Sequence, residues 1–207
     1  MALNHPTATD GRMAFDPDEW FDLVDETGRP IGRARRCECH GNPALIHPAV
    51  HVFVFGADGR LFLQRRAFSK DIQPGRWDTS VGGHLRPGET PEDGAQRELR
   101  EELGVEAALR FSHSYLWRSD VETEYVWAYI AQHDGPFQMD PAEIAEGRFW
   151  SITEIAQALG QGVFTTNFEH ELEWLARDPS GVLAPLGVAI RVGAAPERND
   201  STRRVRD

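Results

Sequence analysis

Apolar and polar positions along this chain repeat with two different periods, and the switches between them divide it into strands and helices. Residues 49–55 (AVHVFVF) form a β-rich run, and Ala57-Asp58-Gly59-Arg60 turns the chain back into Leu61-Phe62-Leu63-Gln64-Arg65. Upstream, residues 20–25 (WFDLVD) and 31–34 (IGRA) flank Glu26-Thr27-Gly28-Arg29, the signature of a β-hairpin. After a Gly/Pro loop and the segment around Trp77, the period changes. Ala95, Leu99 and Leu103 recur every fourth residue, which predicts a helix over residues 91–103 with one buried stripe. Thr90 suits its N-cap, Pro91 its first turn, Glu92 and Asp93 its dipole, and Gly104 its end.

Two more strand-like runs follow, near residues 109–117 and over 123–132. A short strand at 147–150 and helices at 153–159 and 166–176 complete the pattern. Strands mixed with few helices imply an α/β or α+β fold, a mixed sheet covered by helices, here with an N-terminal β-hairpin. One domain over residues 18–177 accommodates it. Residues 1–17 read as a flexible arm and residues 178–207 as a flexible tail. Within that tail, residues 181–192 form the one apolar segment able to dock as a late strand.

Composition narrows the function classes. With 40% hydrophobic and 27% charged residues the chain has material for a core, and no run approaches the ~20 apolar residues of a membrane span. Residues 1–17 hold no signal-peptide core, so the expected location is the cytoplasm. A formal net charge of −11 argues against a nucleic-acid partner. Phosphates remain accessible to an acidic protein when divalent cations intervene. Cys37 and Cys39 fit neither a disulfide framework nor the usual zinc spacing, and they read as free thiols. With His40 adjacent, a metal site is the alternative.

Glu98, Glu101 and Glu102 stand at i, i+3 and i+4 and project from one face of the expected helix, with Arg97 and Arg100 on neighbouring faces. Spacing alone leaves two readings open: a solvated charged face, or a site for hard cations that offsets the repulsion. The wider pattern separates them. Gly83, Glu89, Arg97-Glu98-Leu99, Glu101-Glu102 and Gly104-Val105 match every fixed position of the Nudix box, and the chain resembles that family of hydrolases. The resemblance implies an α/β/α sandwich and hydrolysis of the diphosphate linkage in a nucleoside diphosphate-linked or related small molecule, with Mg²⁺ or Mn²⁺. It implies Glu98, Glu101 and Glu102 as metal ligands, joined by the Gly83 carbonyl. It implies that Arg97 and Glu89 hold the loop against the helix, with Glu89 also reaching the metal through water.

Outside the box, the start at Trp20, then Gly32, His47, Gln64-Arg65-Arg66, Lys70, residues 74–78 (PGRWD) and Gly82-Gly83-His84 resemble the branch related to isopentenyl diphosphate isomerase. Those isomerases place a catalytic cysteine in a Thr-Asn-x-Cys-x-x-His segment. This chain has residues 78–84 (DTSVGGH) there, with Ser80 or Val81 where the thiol is needed. The intact box and missing thiol favour a hydrolase over an isomerase, and over a non-catalytic nucleotide sensor. For substrate binding the candidates are Arg65, Arg66, Lys70, Trp77 and His84. Arg65 and Arg66 alternate along a strand, so only one can face a cleft. Trp77 either stacks on a base or fills the core, and His84 either touches substrate or packs. Glu143 is the candidate general base, with Glu102 or Glu146 as alternatives. Arg97, Glu101, Glu102 and Glu143 are thus the expected catalytic set. The hairpin also offers edge strands through which two copies can pair as a homodimer.

Overall fold

The computed structural model describes residues 18–70, 72–177 and Leu183. The expected arm at 1–17 and all of the expected tail except Leu183 lie outside the described residues.

The N-terminal hairpin forms as expected, β1 (Trp20–Val24) antiparallel to β2 (Pro30–Arg35), as a two-stranded sheet of its own. It leads through a short helix α1 (Arg36–Cys39) into β3 (Ile46–Phe55), the strand on which the molecule is organised. β3 pairs in parallel with β8 (Thr123–Gln132) over its whole length, and antiparallel with β4 (Leu61–Arg66) and β6 (Val81–His84). β7 (Arg110–Arg118) continues the sheet beyond β8, while β5 (Trp77–Asp78) and β9 (Ile144–Trp150) add to β4.

Alternation along these strands makes two cores. Phe53, Phe55, Leu61, Leu63, Ala128 and Ile130 face α3 (Ile152–Ala158) and α4 (Thr166–Arg177), packing against Phe164, Phe168, Leu172 and Leu175; Leu183 is buried there too. Val50, Val52, Val54, Phe62, Tyr129 and Ala131 face the other way, onto Ala95, Leu99 and Leu103 of α2 (Pro91–Leu103). Helices on both faces of one mixed sheet make an α/β/α sandwich. α2 starts and stops where its sequence indicates: the Thr90 side chain accepts from Asp93 N–H, and Gly104 ends it at φ 68°.

Three elements were not expected, α1, β5 and β6, and β9 begins three residues earlier than its apolar pattern suggests. β6 contains two adjacent glycines, so no side-chain period marks it, and only its pairing with Ala49–Val52 makes it a strand. Cys39 is buried against Phe21 and Ala34, with its thiol pushed up to about 11 by burial and then by Glu38, whereas Cys37 is exposed. Among the described residues, no helix is long and apolar enough to cross a membrane.

A buried polar contact joins β3 to α4 across the layers. Nδ1 of His51 on β3 lies 2.8 Å from Oε1 of Glu171 on α4, and Glu171 is fully buried. Burial works against a charged ring, but the Glu171 carboxylate, helped by Asp78 and Glu124, outweighs it and raises His51 from 6.5 to about 9. Because the folded value exceeds the unfolded one, the pair's contribution to stability is complete below the unfolded value and disappears as pH rises through the folded one. His51→Gln should therefore lower Tm most near pH ~6 and least near pH ~10. Calorimetry across that range tests this, and a Tm difference independent of pH would show that the pair carries no charge.

Candidate active site and metal centre

A cavity of about 250 Å³ opens where α2, β3, β6 and the start of α4 meet. The box residues form one wall. A Cβ on Gly83 would sit 2.2 Å from Cδ of Glu98, so only glycine lets β6 and α2 approach this closely. Arg97 ties the segment together. Its Nε and Nη2 donate to the two oxygens of Glu89 at 2.8 and 2.7 Å, its Nη1 to Glu98 at 2.6 Å and Glu101 at 3.1 Å, and Nη2 also to the His84 carbonyl at 2.9 Å. Glu89 further accepts from Arg86 N–H. Burial alone would raise its carboxyl, and Arg97 and Arg86 outweigh that to hold it below the usual value.

Glu98 and Glu102 are crowded and dry. Burial pushes Glu98 up to about 7 against the pull of Arg97, with Glu101 and Glu143 adding to the rise. Glu102 is 3% exposed and lies well above the usual range, through burial first and then Glu98 and Glu143; Gln64 donates to it at 2.9 Å. Glu101, on the same face, is open to solvent. Like charges held this way call for a cation, and carboxylate and carbonyl oxygens suit a hard one such as Mg²⁺ or Mn²⁺.

The other expected residues divide. Arg66 lines the cavity, donating to the Ile72 carbonyl at 3.0 Å and to Asp78 at 3.2 Å. Lys70 lines it too and is ion-paired with Glu143, which also lies on the cavity. Arg65 points elsewhere, to the Gly75 carbonyl, Glu146 and the Phe68 ring. Glu146 is therefore outside the cavity with it. Trp77 packs edge-on against Trp150 at 5.1 Å between ring centres, as a core residue.

His84 belongs to a cluster that sequence reasoning missed. Its ring stacks on Phe21 at 4.5 Å, and ligand-capable atoms of His40, His47 and His84 lie within 4.8 Å of one another, as do those of His47, Glu122 and Glu124. Both ring nitrogens of His47 are buried, with no side-chain hydrogen-bond partner among the described residues. Burial, then His40 and Arg36, holds the His47 ring down to about 3; burial and Arg36 likewise lower His84. Neutral imidazoles beside buried carboxylates are the donor set of a transition-metal site such as Zn²⁺ or Mn²⁺. The five residues come from the C-cap of α1, from β3 and β6, and from the β7–β8 turn and the start of β8, so no local spacing reveals them.

The polypeptide is thus an α/β/α sandwich whose acidic cavity has one wall made by a glycine-backed carboxylate helix. A NUDIX-domain family model matches residues 45–168, and the chain belongs to that family. An isopentenyl-diphosphate Delta-isomerase of Streptomyces avermitilis is 35% identical over 155 residues, 72% of this chain and 79% of that protein. An uncharacterized Nudix hydrolase of Pseudomonas aeruginosa, PA4841, is 37% identical over 140 residues, 67% of this chain and 81% of its own. Among solved structures, DR0079 from Deinococcus radiodurans superposes with a TM-score of 0.66 at 26% identity, covering 78% of this chain and 99% of that one.

If the histidine cluster holds a metal independently of the box carboxylates, His47→Ala should lower the transition metal retained after dialysis by about one equivalent per chain. Metal analysis beside isothermal titration with Mn²⁺ measures this. Unchanged stoichiometry in the variant would remove the cluster from consideration.

Proposed function

We propose that this chain is a Mg²⁺- or Mn²⁺-dependent hydrolase that cleaves the diphosphate linkage of a nucleoside diphosphate-linked or related small molecule. The observation that carries the reading is the placement of Glu98, Glu101 and Glu102 around one turn of α2, with Glu98 pressed against bare Gly83 on the cavity. Bound there, divalent cations neutralise the diphosphate, orient it and make the attacking water more acidic.

The chain's own residues do the rest. Arg97 holds Glu89 and Glu98 in place, so the loop bearing Gly83 stays against the helix. Arg66 and Lys70 are the phosphate-facing cations; Lys70 turning from Glu143 to a substrate oxygen frees that carboxylate to accept the proton of the attacking water. Glu102, whose carboxylate burial makes more basic than usual, is the alternative base. Arg65, Trp77 and Glu146 have no part, because they lie off the cavity. Its volume is at the small end of ligand sites, which favours a compact substrate.

Relatives named as isomerases give a second reading, in which the same cavity moves a double bond of an allylic diphosphate. The cysteines argue against it. Cys37 is exposed on α1 and Cys39 is buried against Phe21, so neither is on the cavity. Nor do the two positions considered for a thiol face it: Ser80 Oγ is buried between Val54 N–H and the Phe62 carbonyl, and Val81 is in the α2-side core. Gly82 and Gly83 face the cavity instead.

Glu101 is exposed enough for Glu101→Gln to leave the fold intact, and kcat with saturating Mg²⁺ should fall roughly 100-fold. Phosphate release across a panel of nucleoside diphosphate derivatives measures it, and full activity in the variant would overturn the assignment. Isopentenyl diphosphate incubated with the Mg²⁺- or Mn²⁺-loaded enzyme should return without its double bond moved. An isomerised product seen by proton NMR decides for the second reading.

A further inference from the structure

The hydrolase reading leaves one buried titratable pair unused. His51 lines the cavity, yet its Nδ1 is turned away from it, onto the fully buried Glu171. The Glu171 oxygen accepts from Nδ1, and Nε2 is the ring atom left for a ligand. That atom faces β6 at Gly82, where an added Cβ would lie 3.2 Å from Nε2 and 3.1 Å from Cδ2. The missing side chain is what keeps the ring edge open. Gly82 is in ordinary extended backbone, so conformation does not require glycine there.

The arginines and lysine on the cavity are tied to carboxylates that share it: Arg97 to Glu98 and Glu101, Arg66 to Asp78, Lys70 to Glu143, Arg86 to Glu101 and Arg36 to Glu19. His51 differs, because its carboxylate lies behind it on α4 and its second nitrogen is directed forward. Polar groups on the same stretch are fixed as well. Asn167 Oδ1 accepts from Tyr115 Oη at 2.6 Å, and Thr165 Oγ1 donates to Asp78 at 2.8 Å.

Resting on the hydrolase reading and deepening it, we infer that His51, oriented by Glu171, donates from Nε2 to a phosphoryl oxygen of the bound diphosphate, with Gly82 as the opening that admits it. A carboxylate-backed imidazole is a directed donor that costs little reorganisation on binding. The raised pKa of His51, about 9, keeps that donor charged near neutrality. The groups that face it are Glu171 on α4, Asp78 on β5, Glu124 on β8 and His113 on β7. Three of those four are acidic and favour the charged ring.

The test measures binding of methylenediphosphonate, a non-hydrolysable diphosphate, to the full chain loaded with Mn²⁺. Titration calorimetry should show His51→Gln weakening it roughly tenfold while Mn²⁺ uptake is unchanged. Gly82→Ala should weaken it too, by setting a methyl group against Nε2 and Cδ2, with an unchanged Tm showing that the His51–Glu171 pair is kept; it decides the question if His51→Gln does not fold. In the wild type the affinity should fall as pH rises through about 9, a step that His51→Gln lacks. A purely structural pair would move Tm but not this profile. Equal binding by wild type and both variants overturns the inference and leaves the hydrolase reading standing. A Mn²⁺-loaded wild type that takes up no methylenediphosphonate overturns both.

Discussion

Carboxylates that repel one another have been packed along one side of α2 and partly buried, and the site is built around what makes that tolerable. Arg97 bonds to Glu89, Glu98 and Glu101 together, so the loop before the helix and the carboxylate face of the helix are fixed by one guanidinium. Gly83 contributes by having no side chain, which lets β6 approach Glu98. Neither device neutralises Glu102, which is buried beside Glu98 with Gln64 as its neutral donor. The remaining charge imbalance is the physical basis for expecting cations, because a binder of neutral ligands gains nothing from buried, mutually repelling acids.

The sheet explains why so much polar chemistry sits in one place. β3 is buried from His47 to Phe55, and its alternation sends valines toward α2 and phenylalanines toward α4. Near its N-terminal end the same strand supplies His47 to the histidine cluster and His51 to the pair with Glu171. Two glycines on β6 leave the adjoining space clear. A short segment thereby serves both candidate metal centres and the proposed phosphoryl contact, and the paired cations around the rim keep the acidic cavity from being uniformly repulsive to an anion.

Several site assignments could be read along the chain because their logic is local. The helical period places Glu98, Glu101 and Glu102 together, and the strand period says that Arg65 and Arg66 diverge; which of the two faces the cavity depends on β5 and β9 pairing with β4. Trp77 shows the limit of residue type as a guide, since an aromatic beside the cavity segment became a core contact of Trp150. The thiol comparison shows another. Register, not spacing, determines that Ser80 and Val81 point inward while Gly82 meets the cavity.

The glycine–arginine frame was legible only through the resemblance to the Nudix box; alone, the sequence determined the two periodicities, hence the hairpin, the long strands, α2 with its caps and the carboxylate face on it. These are short-range facts, set by side-chain spacing along single elements. Tertiary structure decided the rest: that β6 exists at all, that His40, His47, His84, Glu122 and Glu124 converge, and that His51 meets Glu171 across 120 positions of chain. Those contacts arise from strand register and layer packing, which depend on the whole sheet, and no window of sequence short enough to scan contains them.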